Sequence, residues 1–415
     1  MRRALTAFLR VVAKLFFRRI ELDGVGRVPG SGAVIFAVNH PNALIDPLFL
    51  LCFAPRPVSF LAKAPLFTMP LIGRFARALD SIPVYRRQDN VAGGSNRETF
   101  GRAREVLSRG GTIAIFPEGT THSDARLREL KTGAARIALG AGLDVQIVPT
   151  GLYYTAKQTF RSAVLVVFGE PIAVTPEPVD ENGEPRAAGV EALTARIEAA
   201  LAGVTLQADS RAALELVARA ERIFSGQREH DLADELEIRR RFIDGYAWLR
   251  AHDPLRLAAL ESHVARIDAE RLAPTEPITP RTALSLILLP LALIGGAVHW
   301  PLYRIIGLLA VRLSHDEEEL VATIKAVGGM VLYPLMWLTI AAVVAWRFGW
   351  SYAALTIVLL PLLAYVALYV FEIVDDVIGR ISAVTRSARD LRARTKALRD
   401  EFIAIAEEMA RRTDA

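Results

Sequence analysis

Asn39-His40-Pro41-Asn42-Ala43-Leu44-Ile45-Asp46-Pro47 follows directly on the apolar run Ala33–Val38. That run is short, partly β-branched and preceded by glycines, so it reads as a buried strand. Pro41 stops regular pairing at its end. From Ala43 to Phe53 the chain is apolar again and reads as helix, with Pro47 limiting how far a helix runs before it. His40 therefore falls at a strand-to-helix corner, and Asp46 in the segment that follows. The pair has two readings. A neutral imidazole beside a carboxylate is a general base with a fixed tautomer. Equally, a strand-end histidine is satisfied by backbone groups while an aspartate caps a helix.

Composition narrows the class. The chain has 415 residues, 52% of them hydrophobic, and a formal net charge of +5. Its mean hydropathy of +0.29 is too apolar for an ordinary soluble protein of this length. A basic chain with long apolar segments suits anionic lipid headgroups better than nucleic acid, for which no motif is present. The one cysteine, Cys52, lies in an apolar run and reads as a buried small hydrophobe. A site in this chain works without thiol or cysteine–metal chemistry, and neither a metal nor a cofactor is expected.

Outward from the corner, residues 1–23 interleave arginine and lysine with apolar side chains and lack a small-residue cleavage site. They read as an interfacial amphipathic helix, with a core-packing first helix as the alternative. Residues 24–174 read as one α/β domain with a mostly parallel sheet flanked by helices. Its strands are expected at Ala33–Val38, Val58–Leu61, Ile82–Tyr85, Thr112–Phe116, Gln146–Thr150 and Ala163–Phe168, with helices at Arg97–Ser108 and Leu130–Ala141. Several polar groups fall at strand ends, where such domains build sites. Lys63 follows one strand and Arg86-Arg87 another. Phe116-Pro117-Glu118-Gly119-Thr120-Thr121-His122-Ser123 follows a third, and its Gly119 permits φ > 0 or close backbone approach. Converging cations there would bind phosphate; singly, each is an ordinary solvated charge. Val148-Pro149-Thr150-Gly151 closes a further strand.

Residues 175–189 read as a linker, and 190–280 as a charged helical region in which Arg239-Arg240-Arg241 is a solvated face. Residues 281–372 read as membrane-embedded. Gly328–Trp346 and Tyr352–Phe371 approach the ~20 residues needed to span. Leu284–Leu313, broken at His299-Trp300-Pro301, reads as a re-entrant hairpin with no catalytic role for His299. Residues 373–415 read as an amphipathic tail. The basic residues from Arg380 to Arg399 put that tail on the cytoplasmic side, and the catalytic domain is expected on the same side.

His40…Asp46, Lys63 with Gly73 and Arg86, Phe116-Pro117-Glu118-Gly119-Thr120 and Val148-Pro149-Thr150-Gly151 occur in the order of the four motif blocks of the glycerolipid acyltransferases, which the chain resembles. The resemblance is closest to the fungal glycerol-3-phosphate/dihydroxyacetone-phosphate acyltransferases and their bacterial relatives, where five residues separate His and Asp, as here. It implies that His40 is the general base toward the acceptor hydroxyl and that Asp46 holds and polarises it. It implies further that Lys63, Arg86, Glu118, Gly119 and Thr120 bind the acceptor, and that no acyl-enzyme forms. The donor would be acyl-CoA or acyl-carrier protein. The acceptor would be glycerol-3-phosphate, dihydroxyacetone phosphate or 1-acylglycerol-3-phosphate. Thr121 stands where the family's lysophosphatidate enzymes often carry arginine. A catalytically idle lipid-binding protein on this scaffold would have lost His or Asp, and both are present. A Ser-His-Asp hydrolase would show a Gly-x-Ser-x-Gly elbow, and none occurs.

Overall fold

Ala33–Val38 forms a strand buried along its whole length, the pattern of a central parallel strand covered on both faces. The computed structural model describes residues 2–69, 72–85, 96–225, 231–269, 280–315, 317–382 and 388–413. They fall into two units, Met1–Ser210 with Glu317–Thr323, and Arg211–Asp316 with Ile324–Ala415. In chain order the first unit holds α1 (Arg2–Phe16), β1 (Arg19–Asp23), β2 (Ala33–Val38), α2 (Ile45–Phe53), β3 (Ser59–Lys63), α3 (Ile72–Ala78) and β4 (Ile82–Val84). There follow α4 (Asn96–Ser108), β5 (Thr112–Ile115), α5 (Gly133–Leu139), β6 (Val145–Tyr154), β7 (Ala163–Phe168), β8 (Ile172–Val174) and α6 (Ala187–Ala202).

The strands make one sheet in the order β1-β7-β6-β2-β5-β3-β4, with β8 also on β6. The α/β fold expected from the sequence is present: β2 pairs in parallel with β5 and β6, and β3 in parallel with β5 and β4. β7 and β8 pair with β6 in antiparallel fashion, and β1 pairs in parallel with β7. Pro149 sits inside β6, where a missing N–H is normally costly. Its carbonyl faces Gly169 N–H, and β8 pairs before it while β7 pairs after it. The absent donor thus falls in the gap between two partners.

One face of the sheet packs Ile35, Ala37, Ile113 and Ile147 against α4, α5 and α6. The other face is aromatic, with Phe36 against Phe168, and Phe17 against Phe49 and Tyr154. Three readings change here. The first segment is not one long helix: α1 ends at Phe16, and Arg19–Asp23 pairs with β7 as a strand. Buried Ala13 and Phe16 and the bond from Arg10 Nε to Cys52 O (3.0 Å) fix α1 on α2. Residues 175–189 are no loose linker, since Glu177 N–H bonds Leu139 O and Val179 bridges Pro185. Finally α6, expected in the charged helical region, buries Val190, Leu193 and Ile197 in the first unit's core. Each such side chain contributes about 1.5–3 kcal/mol, which outweighs the helix's charged outer face.

The second unit holds α7 (Arg211–Ser225), α8 (Leu232–His252), α9 (Pro254–Ala269), α10 (Pro280–Leu313), α11 (Glu318–Phe348) from Ile324 onward, α12 (Trp350–Ser382) and α13 (Ala388–Thr413). α13 buries Leu398, Phe402 and Ile405 among residues of α7, α8 and α9. Arg239 belongs to no solvated face; it is buried against Glu221 (3.3 Å) and Glu235 (2.7 Å). α10, α11 and α12 are each long and apolar enough to cross a membrane. The re-entrant hairpin is replaced by one helix of 34 residues, about 50 Å long, that runs through Pro290 and Pro301. His299 is no hairpin tip: its Nδ1–H donates to Gly295 O (2.7 Å) and its Nε2 accepts from Trp337 Nε1 (2.9 Å). Apolar helices tolerate such prolines where neighbours and side chains satisfy freed polar groups.

Ile197→Ala should cost the first unit about 2–5 kcal/mol. Arg196→Ala, on the exposed side of the same helix, should change little. Cys52 is buried, and that burial pushes its thiol up to about 11 against the opposing pull of Arg10. At neutral pH it is a protonated, shielded thiol, so maleimide labelling in urea reports unfolding. The labelling midpoint should fall for Ile197→Ala; an unshifted midpoint would remove α6 from this core.

Candidate active site

Parallel strands point their C-terminal ends at one edge of the sheet, so the segments after β2, β3 and β5 gather there. His40 follows β2 and Asp46 lies in the first turn of α2. The five residues between them are taken up by a turn closed by Ile45 N–H to Asn42 O (2.9 Å), with Ala43 held at φ 36°. The turn brings His40 Nδ1 to 2.8 Å from Asp46 Oδ2.

Asp46 is fully buried. A buried carboxylate is costly unless its lone pairs are filled. Oδ2 accepts from His40 Nδ1–H and also from Asn42 N–H (2.7 Å), and Oδ1 accepts from the Tyr154 hydroxyl (2.6 Å). Burial first, and then the Asp46 charge, push the Tyr154 phenol well above its ordinary value. It stays protonated and is held as a donor. With Nδ1–H committed to Asp46, the basic atom of His40 is Nε2. The His40 side chain keeps 17% of its surface exposed and lines a cleft. Its ring stacks on Phe116 at 4.1 Å between centroids and 22° between planes.

The main chain of His40 is gripped as well. Its N–H donates to Glu118 Oε1 (3.1 Å), and its carbonyl accepts from His122 N–H (3.2 Å). Glu118 Oε2 accepts from His122 Nε2–H and from Arg128 N–H. Asp124 N–H, at 3.2 Å, donates to His122 Nδ1, which fixes that tautomer. Both oxygens of Glu118 therefore serve the corner itself. Gly119 takes φ 72°, a turn conformation that side chains rarely adopt, and its N–H closes on Phe116 O (3.0 Å). Thr120 is half-buried beside it. Lys63 ends β3 at the same edge, exposed and two strands from β2. Arg86 lies outside the described residues. The cleft that His40 lines is walled also by Ser123, Arg126, Leu152, Lys157 and Gln207.

Tyr154, His122 and Lys157 are the residues that a motif reading of the site does not assign. Tyr154 sits four residues past Thr150 on the same strand, and only its contact with Asp46 gives it a role. Asn39 is a further brace, exchanging bonds with Leu152 through Oδ1 (2.7 Å) and Nδ2 (3.1 Å). No group of three or more His, Cys, Asp or Glu side chains is spaced to hold a metal ion among the described residues.

Residues 19–153 match the family model described as Acyltransferase. Among curated proteins, an uncharacterized acyltransferase of Schizosaccharomyces pombe is 25% identical over 338 residues, 59% of this chain and 50% of that protein. Glycerol-3-phosphate O-acyltransferase 1 of Saccharomyces cerevisiae is 27% identical over 61% of this chain and 46% of its own length. The 1-acyl-sn-glycerol-3-phosphate acyltransferase of Borreliella burgdorferi is 31% identical over 38% of this chain and 58% of its own. The chain thus spans about half the length of the two yeast relatives. Among solved structures, the 1-acyl-sn-glycerophosphate acyltransferase of Thermotoga maritima aligns at 22% identity and a TM-score of 0.36, over 49% of this chain and 79% of that one.

Tyr154→Phe leaves Asp46 Oδ1 without its donor and should cost about 1–3 kcal/mol in thermal or urea unfolding. The pH dependence has a definite sign. A phenol whose folded pKa is raised contributes stability that is complete below the unfolded value of about 10 and is lost above it. Between about pH 9 and 11 the native chain should lose more stability than Tyr154→Phe. Equal losses would show that Tyr154 does not hold its proton against Asp46.

Proposed function

Because residues 19–153 are an acyltransferase-family domain, we propose that the chain is a membrane-bound O-acyltransferase moving a fatty acyl group from a thioester to a hydroxyl of a glycerol phosphate. The observation that carries this is the 2.8 Å contact between His40 Nδ1 and Asp46 Oδ2, on a histidine that is partly exposed in a cleft. His40 Nε2 takes the proton from the acceptor hydroxyl as its oxygen attacks the thioester carbonyl. The tetrahedral intermediate collapses with cleavage of the C–S bond. The proton then passes from His40 to the departing thiolate, leaving ester and free thiol. Asp46 keeps the imidazole in one tautomer and stabilises the imidazolium. Glu118 and His122 hold the His40 backbone, and direct attack without an acyl-enzyme, which the resemblance implies, leaves the chemistry to the positioning of two substrates.

The donor is acyl-CoA or acyl-carrier protein. Both are acidic and suit a basic chain. The acceptor is glycerol-3-phosphate or dihydroxyacetone phosphate, in keeping with the yeast relative named for glycerol-3-phosphate. A lysophosphatidate acceptor is the second reading, favoured by the Borreliella relative. Lys63 and Arg86 are the cations that the resemblance assigns to the acceptor.

The apolar helices would keep the product near the bilayer. α13 packs with α7–α9, which precede those helices. The basic residues that follow the last apolar helix favour a cytoplasmic C-terminus.

Purified protein in detergent, given labelled palmitoyl thioesters of CoA and of carrier protein with each acceptor separately, should form the acylated product. His40→Ala should lower turnover by about 10²-fold or more, with an unchanged unfolding midpoint. Turnover of the lysolipid alone would select the second reading. Turnover that survives His40→Ala would remove the mechanism.

A further inference from the structure

The cleft beside His40 contains a cation that the motif reading leaves unused. Lys157 follows β6, on the opposite side of β2 from Lys63. Its Nζ donates to Pro41 O (3.4 Å), next to the catalytic histidine, and its own carbonyl accepts from Asn42 Nδ2 (3.3 Å). Nζ also bonds the Ser123 hydroxyl, and that hydroxyl donates to Glu319 Oε1. Glu319, in the first turn of α11, belongs to the same unit and lies 3.8 Å from Lys157. The side chains of Lys157 and Glu319 are only 19% and 16% exposed.

An ammonium and a hydroxyl thus converge on an oxygen of one carboxylate. A partly desolvated ammonium needs an anion, and here the chain supplies its own. The neighbouring arginines are differently placed. Arg126 pairs with Asp209 and is 65% exposed, and Arg128 pairs with exposed Asp124. Lys157 is the one held against the loop that carries the base.

We propose that Lys157 and Ser123 form the subsite for the phosphate monoester of the acceptor, and that the Glu319 carboxylate occupies it until the acceptor displaces it. This rests on the acyltransferase reading for the identity of the ligand. The anion is the acceptor's rather than the donor's because of where it lies. The phosphates of CoA or of a carrier's prosthetic group stand a whole pantetheine arm from the reacting carbonyl. The phosphate of a glycerol phosphate stands within three carbons of the hydroxyl that His40 must reach. A phosphate dianion carries more charge than the carboxylate and offers more oxygens to the same two donors, so exchange favours it.

The test compares Lys157→Ala, Lys157→Arg, Glu319→Gln and Lys63→Ala in the full chain. Lys157→Ala should raise the acceptor KM about tenfold or more and leave the donor KM unchanged, with Lys157→Arg recovering part of the loss. Glu319→Gln should lower the acceptor KM, since the internal competitor is gone. The same shifts for glycerol-3-phosphate and 1-acylglycerol-3-phosphate would show that the headgroup phosphate is read whichever molecule supplies it. A shift with one acceptor only would confine the subsite to that one. A parallel readout needs no turnover: glycerol-3-phosphate should raise the Tm of the native chain, raise it more for Glu319→Gln, and fail to raise it for Lys157→Ala. Loss of acceptor binding in Lys63→Ala but not in Lys157→Ala would overturn the proposal, as would a raised donor KM in Lys157→Ala. Lys157-dependent protection in a chain that transfers no acyl group would keep the anion subsite and remove the acyltransferase reading.

Discussion

A carboxylate with no access to water sits at the centre of this fold. Asp46 is tolerable there only because donors reach it from separate parts of the chain: the ring of His40, the backbone of Asn42 and the hydroxyl of Tyr154. Withdraw one and the cost is that of an unpaired buried lone pair, larger than the net worth of an ordinary hydrogen bond. That asymmetry locks the end of β2, the start of α2 and the end of β6 into one arrangement. The same contact that makes the imidazole a base with one tautomer also holds three elements in register.

A second ring of bonds surrounds the first. Glu118 and His122 take hold of the His40 main chain from the β5 side, and Asn39 ties the neighbouring residue to β6. The histidine is thereby fixed by ring, amide and carbonyl. Catalysis by positioning demands such rigidity, because small displacements of a base cost rate steeply. Glu118, which reads in sequence as a ligand for substrate, is spent on this bracing.

Much of this was legible in the residues. The buried run Ala33–Val38, the proline after it and the alternation of strands with helices foretold a parallel sheet and the edge that carries the site. His40 and Asp46 stood out at a strand-to-helix corner with two readings open, and it was the resemblance to the glycerolipid acyltransferases that implied a base and its partner. What escaped the reading did so for physical reasons. Arg19–Asp23 alternates charge with apolar residues and looked like a continuation of the basic helix; only pairing with β7 makes it a strand. α6 carries enough charge on one face to disguise a buried stripe, and tertiary packing decides its membership. Leu284–Leu313 was divided at Pro301 by a rule for water-exposed helices that apolar surroundings relax. Tyr154 and Lys157 lie more than a hundred residues from the loop they serve, and no local pattern marks such a partner.

The placing of Glu317–Thr323 in the first unit has a consequence for how the molecule is made. A chain emerging from the ribosome folds its domains in order, N-terminal first. Here β2 to β6 can close, and α6 can cover them, as soon as residue 202 is out. The contact from Glu319 to Ser123 must wait until all of α10 has been synthesised. The His40–Asp46 contact can therefore be assembled on a nascent chain while the carboxylate beside Lys157 is still missing. That carboxylate arrives only with the apolar helices, so the group of side chains around Lys157 is completed after α10 and not before.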